Sequence, residues 1–202
     1  MKPRLIVEQK ITLFVNKYAI YSATAEGEPG ELLAFAQQKR MAFKEKVTFY
    51  SDEQKTSPVF SFRAEKVMDI HGRYFVEDGE GHVVGAFRKE FKRSLINSTW
   101  KILDTQDKPL LDLRENSQWL ASLRRFGSLI PYIGDFIDII VGFFRYHFVI
   151  TDEATGQAVG RYQKTTLFRD HYLLSMTDEA YAAQDWRVLA AMAVGLDALQ
   201  SR

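Results

Sequence analysis

Four histidines, scattered carboxylates and a complete absence of cysteine define what covalent, metal or acid–base chemistry this chain could carry. His71, His82, His147 and His171 stand apart, with no pair four residues apart and no HExxH pattern, so no protease-type zinc site is written here. Without a thiol, neither a thiolate metal site nor a disulfide framework can form. The carboxylate pair Asp52-Glu53 falls in a turn rather than a cleft, which disfavours general acid–base work. Gly79-Glu-Gly81 spells a Gly-x-Gly, but no helix follows it to receive a pyrophosphate. Neither a GxxxxGK phosphate loop nor a GxSxG nucleophile elbow occurs. The expectation is a protein that is not an enzyme, with no catalytic residue, metal or cofactor.

The remaining chemistry is that of charge. Phe87-Arg-Lys-Glu-Phe-Lys-Arg93 interleaves bases with aromatics, as single-strand nucleic-acid binders do. In an alternating strand, however, Phe87 and Phe91 face inward and the charges outward. The net charge of +1 also argues against nucleic acid as a partner. Lys39, Arg40, Lys44, Lys46, Arg88, Lys89, Lys92 and Arg93 are the candidate lipid or anion ligands, together with Arg124 and Arg125 further along the chain.

The elements that must position these groups repeat. Acidic turns fall at Glu26, Asp52, Asp78 and Asp104, a spacing of 26 residues, and again at Asp152 and Asp178. Three of them follow related text: Tyr74-Phe-Val-Glu-Asp78, Trp100-Lys-Ile-Leu-Asp104 and Phe148-Val-Ile-Thr-Asp152. A fixed period of this kind marks one supersecondary unit repeated. Alternation of period two runs through Val47–Phe49, Phe60–Phe62, Tyr74–Val76 and Trp100–Ile102, so each unit is a hairpin. With an opening strand near residues 5–16 and a closing one near 170–177, the count reaches about twelve. Successive hairpins build an antiparallel up-and-down meander, and closing it into a barrel removes the exposed edges. From Asp185 the text changes, and Val188–Leu196 holds no charged or polar side chain. A helix apolar on every side must be buried on every side. Twelve strands enclose more space than side chains alone can fill, so this helix is expected on the barrel axis.

These residues resemble a known family. The opening Ile6-Val-Glu-Gln-Lys-Ile-Thr-Leu-Phe14, the repeated Asp-x-x-Gly hairpins and the apolar helix ending at Leu196-Asp197 are similar to the LURP-one-related proteins of the tubby C-terminal-like superfamily, which also includes the phospholipid scramblases. The resemblance implies a closed twelve-stranded barrel around a central C-terminal helix. It also implies a link to lipid, since tubby domains bind phosphoinositides and scramblases act on membrane lipids. No lipid-binding lysine of the family matches a motif here, so none is carried over. The expectation is a single domain over residues 1–202, mainly β, with a helical insertion at 117–145 and a central helix at 185–200.

In a meander all the mid-repeat turns lie at one end and all the return turns at the other. The former are rich in acids and the latter in bases, which predicts one acidic rim and one basic rim. The gap between Asp104 and Asp152 adds 22 residues beyond a full period, and they fall in a return turn. Trp119, Phe126, Ile130, Phe136, Ile140, Phe143 and Phe144 are its candidate membrane or partner contacts. Apolar side chains at about −0.3 to −0.6 kcal/mol each are cancelled by Asp135 and Asp138 at roughly +2.5 to +3.5 each, so a membrane span is not expected. A hairpin folded over the barrel mouth, a homodimer or protein contact, and an interfacial membrane dip all remain open. The N-terminal Met1-Lys-Pro-Arg-Leu-Ile-Val-Glu lacks an export signal, which points to the cytoplasm. The leading expectation is peripheral docking on anionic phospholipid or phosphoinositide at the inner membrane face, and the second is a soluble scaffold that dimerises or binds a protein through the insert.

Overall fold

The computed structural model describes residues 1–11, 15–39, 46–65, 72–90, 99–115, 147–166 and 170–200. Twelve antiparallel strands run in chain order: β1 Lys2–Ile11, β2 Val15–Ala23, β3 Pro29–Lys39, β4 Lys46–Tyr50, β5 Pro58–Ala64, β6 Arg73–Asp78, β7 Val83–Lys89, β8 Thr99–Leu103, β9 Pro109–Glu115, β10 Phe148–Asp152, β11 Ala158–Lys164 and β12 Asp170–Met176. Each pairs with its sequence neighbours, and β1 pairs with β12 to close the barrel. Two helices follow, α1 Asp178–Ala182 and α2 Trp186–Gln200.

The repeat has a physical basis in the turns. At Asp78 and Asp104 the backbone N–H donates to the carbonyl four residues on, and the N–H three residues on donates back. The carboxylate of Asp78 accepts from the N–H groups of Glu80 and His82, both at 2.9 Å, and that of Asp104 accepts from Gln106 and Lys108. The residue three places on sits in the left-handed region, Gly81 at φ 92° and Asp107 at φ 71°. This is the three-residue hairpin loop, a type I turn followed by a left-handed residue. At Asp52 the cap and the left-handed residue recur, with Lys55 at φ 62° and a bond from Thr56, but the closing backbone bond runs from Ser51 to Ser57; at Asp152 the loop is one residue longer. These aspartates are therefore turn caps, and at Asp52, Asp78 and Asp152 the bonds they accept favour the ionised form. The backbone N–H of His82 leads in lowering the Asp78 pKa, the Thr56 side chain in lowering that of Asp52, and the Thr155 N–H in lowering that of Asp152.

Two sequence expectations are corrected here, and the β2–β3 turn in which Glu26 falls is capped by an uncharged residue, Thr24. Its hydroxyl accepts from Glu28 and its left-handed residue is Gly27. Asp178 is not a hairpin turn but opens α1 behind the N-cap Thr177. The opening strand ends at Ile11, and Val15 and Asn16 belong to β2, because Ile11 and Asn16 face each other across the first hairpin.

One buried cluster fills the barrel. Phe49 stacks on Phe60 at 4.3 Å between centroids, Tyr74 stacks on Phe87 at 5.0 Å, and Phe62 meets both Tyr74 and Phe87 edge-on. The side chains of α2 belong to the same cluster: Val188–Val194 and Leu196 are all buried. The helix touches strands on separate arcs, including β1, β5, β6, β7 and β8, and the Tyr162 hydroxyl of β11 donates to the Ala193 carbonyl at 3.2 Å. Its five large apolar side chains, Val188, Leu189, Met192, Val194 and Leu196, contribute on the order of 10 kcal/mol by burial. Strand and helix approach closely where β7 carries Gly85, since a Cβ there would lie 2.9 Å from a Val188 methyl. Asp185 starts α2 by accepting from the Arg187 N–H at 2.9 Å, a standard N-cap.

Candidate functional site

The hairpin turns and the return connections occupy opposite ends, as a closed meander requires. The strands are strongly staggered. Lys46, at the return end of β4, is level with Arg63, then Phe75, Ala86 and finally Leu103 at the turn end of β8. Four strand steps thus climb the full wall, as the tilt of a closed barrel demands.

This stagger alters the expected pair of charged rims. Lys17 of β2 lies 3.6 Å from Glu53 in the β4–β5 turn, Arg73 of β6 bonds Asp107 in the β8–β9 turn, and Lys101 of β8 bonds Glu153 after β10. Lys17 and Arg73 lie near the return ends of their strands, but on the tilted wall they clasp acids of the opposite end. Charge is segregated between the connecting segments more than between the strands that they join.

The described candidate cations are placed as follows. Lys46 bonds Glu77 at 3.0 Å, and Arg63 bonds the same carboxylate at 2.6 Å. The Arg63 hydrogen bond leads in holding Glu77 below its ordinary pKa, against the opposing effect of burial. Arg88 bonds Glu90 at 2.9 Å. Lys89 turns inward: it is paired in register with the buried Trp100, and its ammonium lies 5.7 Å from that ring. This corrects the outward placement expected for it, since Lys89 is two residues from the inward Phe87 and must share its face. For Lys39 the backbone alone is described, at the end of β3. Arg40, Lys44, Lys92, Arg93, Arg124 and Arg125 lie outside the described residues, as do Trp119, Phe126, Ile130, Phe136, Ile140, Phe143 and Phe144.

One side-chain cluster at the return end has no counterpart in the sequence pattern. Closure pairs Glu8 of β1 with His171 of β12. The His171 Nε2 lies 3.8 Å from the Glu8 carboxylate, and its Nδ1 lies 2.5 Å from the Thr165 hydroxyl just beyond β11. His147 holds the other side of the same strand end, with Nε2 3.2 Å from the Lys164 carbonyl, and burial lowers its pKa. On the inner face Lys164 bonds Asp170 at 2.6 Å and lies over Tyr172. A hydroxyl, an imidazole and a carboxylate in line have the makings of a nucleophile relay. The Thr165 hydroxyl, however, also lies 3.3 Å from the His171 carbonyl, and backbone bonds knit the two residues into the strand end. Only barrel closure brings the first and last strands together, so no local motif could have signalled the cluster. Among the described residues no group of three His, Cys, Asp or Glu side chains is placed to hold a metal ion.

Comparison with known families decides the assignment. Residues 33–197 match the LURP-one-related (LOR) family, which covers most of the chain. This chain belongs to the LURP-one-related family. No curated protein and no solved structure matches it. The LURP-one-related chain has, among its described residues, no helix long and apolar enough to cross a membrane.

Proposed function

We propose that this LURP-one-related barrel is a non-enzymatic protein that docks peripherally on anionic membrane lipid, at the inner membrane face, through its return end. The asymmetry of its connections carries the reading. At the turn end the described hairpins close within a few residues, with Asp52, Asp78, Asp104 and Asp152 held by turn N–H groups and Asp107 and Glu153 by cations on the wall. The chain spends its long connections at the other end, where residues 116–147 alone separate β9 from β10. Those connections carry Arg40, Lys44, Lys92, Arg93, Arg124 and Arg125 against fewer acids. Basic groups beside apolar surface are what an anionic headgroup layer recruits. Asp52, Asp78, Asp104 and Asp152 are occupied in holding backbone, which speaks against their use as catalytic acids or bases.

Sedimentation with phosphatidylglycerol vesicles tests the proposal. Changing Arg40, Lys44, Lys92 and Arg93 to Gln should weaken binding by about five-fold per charge, from about 1 kcal/mol each near an anionic surface. Changing Lys55 and Lys108 at the turn end to Gln removes charge of the same sign and should leave binding intact. Equal loss from both sets would refute a directed docking end. No vesicle binding, together with a dimer that dissociates when residues 119–144 are replaced by a short Gly/Asn turn, would establish the scaffold reading instead.

A further inference from the structure

Each strand of a closed barrel has two neighbours, but β3 meets its second one over only part of its length. Toward β2 its pairing runs from Pro29 to Lys39. Toward β4, among the described residues, only Phe35 is in register, opposite Tyr50. The cause at the turn end is local. Directly after Tyr50 the Ser51 N–H donates to the Ser57 carbonyl at 2.9 Å, which closes the β4–β5 hairpin and ends β4. Residues 29–34 therefore run past the end of their neighbour as an edge, on the order of 20 Å long at about 3.4 Å per residue. Along such an edge alternate residues turn their N–H and C=O groups away from the paired side. Pro29, Gly30 and Glu31 are exposed, and Leu32 and Leu33 beside them are half-buried.

The charge on this hairpin is one-sided and unused. Its cap is the neutral Thr24, so Glu26, Glu28 and Glu31 are not needed to hold the turn. Glu28 and Glu31 take part through backbone, donating N–H to the Thr24 and Ser22 hydroxyls at 3.2 and 2.9 Å. Among the described residues the three carboxylates have neither a hydrogen-bond nor an ion-pair partner, and all three residues are exposed. In the adjoining turn Lys55 is offset by Asp52 and Glu53.

We propose that residues 29–34 are a docking edge for a basic, extended segment of a partner protein. The segment adds as a strand beside β3, and its Lys or Arg side chains lie against Glu26, Glu28 and Glu31. Main-chain bonds to the open edge supply attachment, and alternate side chains supply selection. An apolar residue between the bases covers Leu32 and Leu33. A second copy of this chain is disfavoured as occupant, because pairing edge to edge would set the three acids against their own copies. Charge placed on an edge is how sheets escape such self-pairing. A basic segment meets the same charge as attraction. The edge lies at the turn end, so this contact is independent of lipid docking at the return end.

The test is fluorescence anisotropy with a labelled peptide that alternates Lys and Val over about six residues, the length of the edge at about 3.4 Å each. It should bind, and a Glu–Val peptide of equal length should not. A fully N-methylated Lys–Val peptide keeps the charge but cannot donate to a ladder, and it should fail to bind. Changing Glu26, Glu28 and Glu31 together to Gln should weaken binding by about 1.4- to 5-fold for each exposed ion pair lost. Glu80→Gln combined with Glu179→Gln removes exposed acids elsewhere at the same end and should leave binding unchanged. Equal binding of the N-methylated peptide, or equal loss from the two acid sets, reduces the contact to bulk charge and overturns the proposal. No binding of the Lys–Val peptide overturns it outright. A dimer in sedimentation velocity that the peptide dissociates would place a second copy on the edge and overturn it as well.

Discussion

Replacing Gly85 with alanine tests whether α2 is seated against β7 as described. The new Cβ would lie 2.9 Å from a Val188 methyl and 3.1 Å from the Leu103 carbonyl oxygen, one contact to a β-branched side chain and one to backbone. Neither can retreat without moving a fully packed neighbour, and overpacking of this kind costs about 1–3 kcal/mol. For a chain of this length that corresponds to a fall in Tm of about 2–4 °C per kcal/mol, so a loss of roughly 2–12 °C is expected. Val188→Ala alone should cost about 1.6 kcal/mol, from about 0.8 kcal/mol per buried methyl(ene). In the double variant the two changes offset, because the added methyl enters the space that Val188 vacates. The contact with Leu103 remains, so rescue is partial. A double-mutant cycle by thermal or chemical denaturation should therefore give a coupling of about 1 kcal/mol or more, in the range seen for residues in contact. Strict additivity, or Gly85→Ala with an unchanged Tm, would refute the close approach of helix and strand.

Two further outcomes follow from the turns and the seam. Lys55 holds φ 62°, where a side chain costs about 1–2 kcal/mol and glycine does not, while glycine loses roughly 0.5–1 kcal/mol in unfolded-chain entropy. Lys55→Gly should thus raise stability by about 0.5 kcal/mol on a denaturant curve, and a loss would count against the left-handed turn. The Asp178 carboxyl is lowered from 3.8 to about 2 by bonds from Lys2 and then Arg4. A depressed folded pKa contributes stability that is complete above about pH 4 and is lost as pH falls through about 2. Asp178→Asn should flatten that part of an acid-unfolding curve and leave the neutral-pH profile unaltered in shape.

What could be read from residues alone was whatever repeats locally. The hairpin period survives because an aspartate, a left-handed residue three places on and two alternating strands all lie within one short stretch of chain. The apolar helix survives because nothing in Val188–Leu196 tolerates water. Thr24 escaped because a hydroxyl performs the same capping bond without carrying a charge. The five-residue α1 escaped because it is too short to show a period. Lys89 was open to a correct reading, since strand parity ties it to Phe87. Its long stem lets it share a face with Trp100 while keeping the ammonium over the ring. The partners of Arg73 and Lys17 were not open to one. Those pairs depend on how far the wall leans, a property of closure that appears in no single strand.

The capped turns also make one end of this barrel a place to write. In the β8–β9 turn the fold is held by the Asp104 carboxylate, by backbone and by the left-handed Asp107, while the exposed Thr105 side chain takes no part in these bonds. The chain has no cysteine of its own. A single Thr105→Cys thus creates one addressable thiol, on the side facing away from the proposed docking surface. A dye or spin label there would report the height and tilt of the barrel above a bilayer without occupying the face under study.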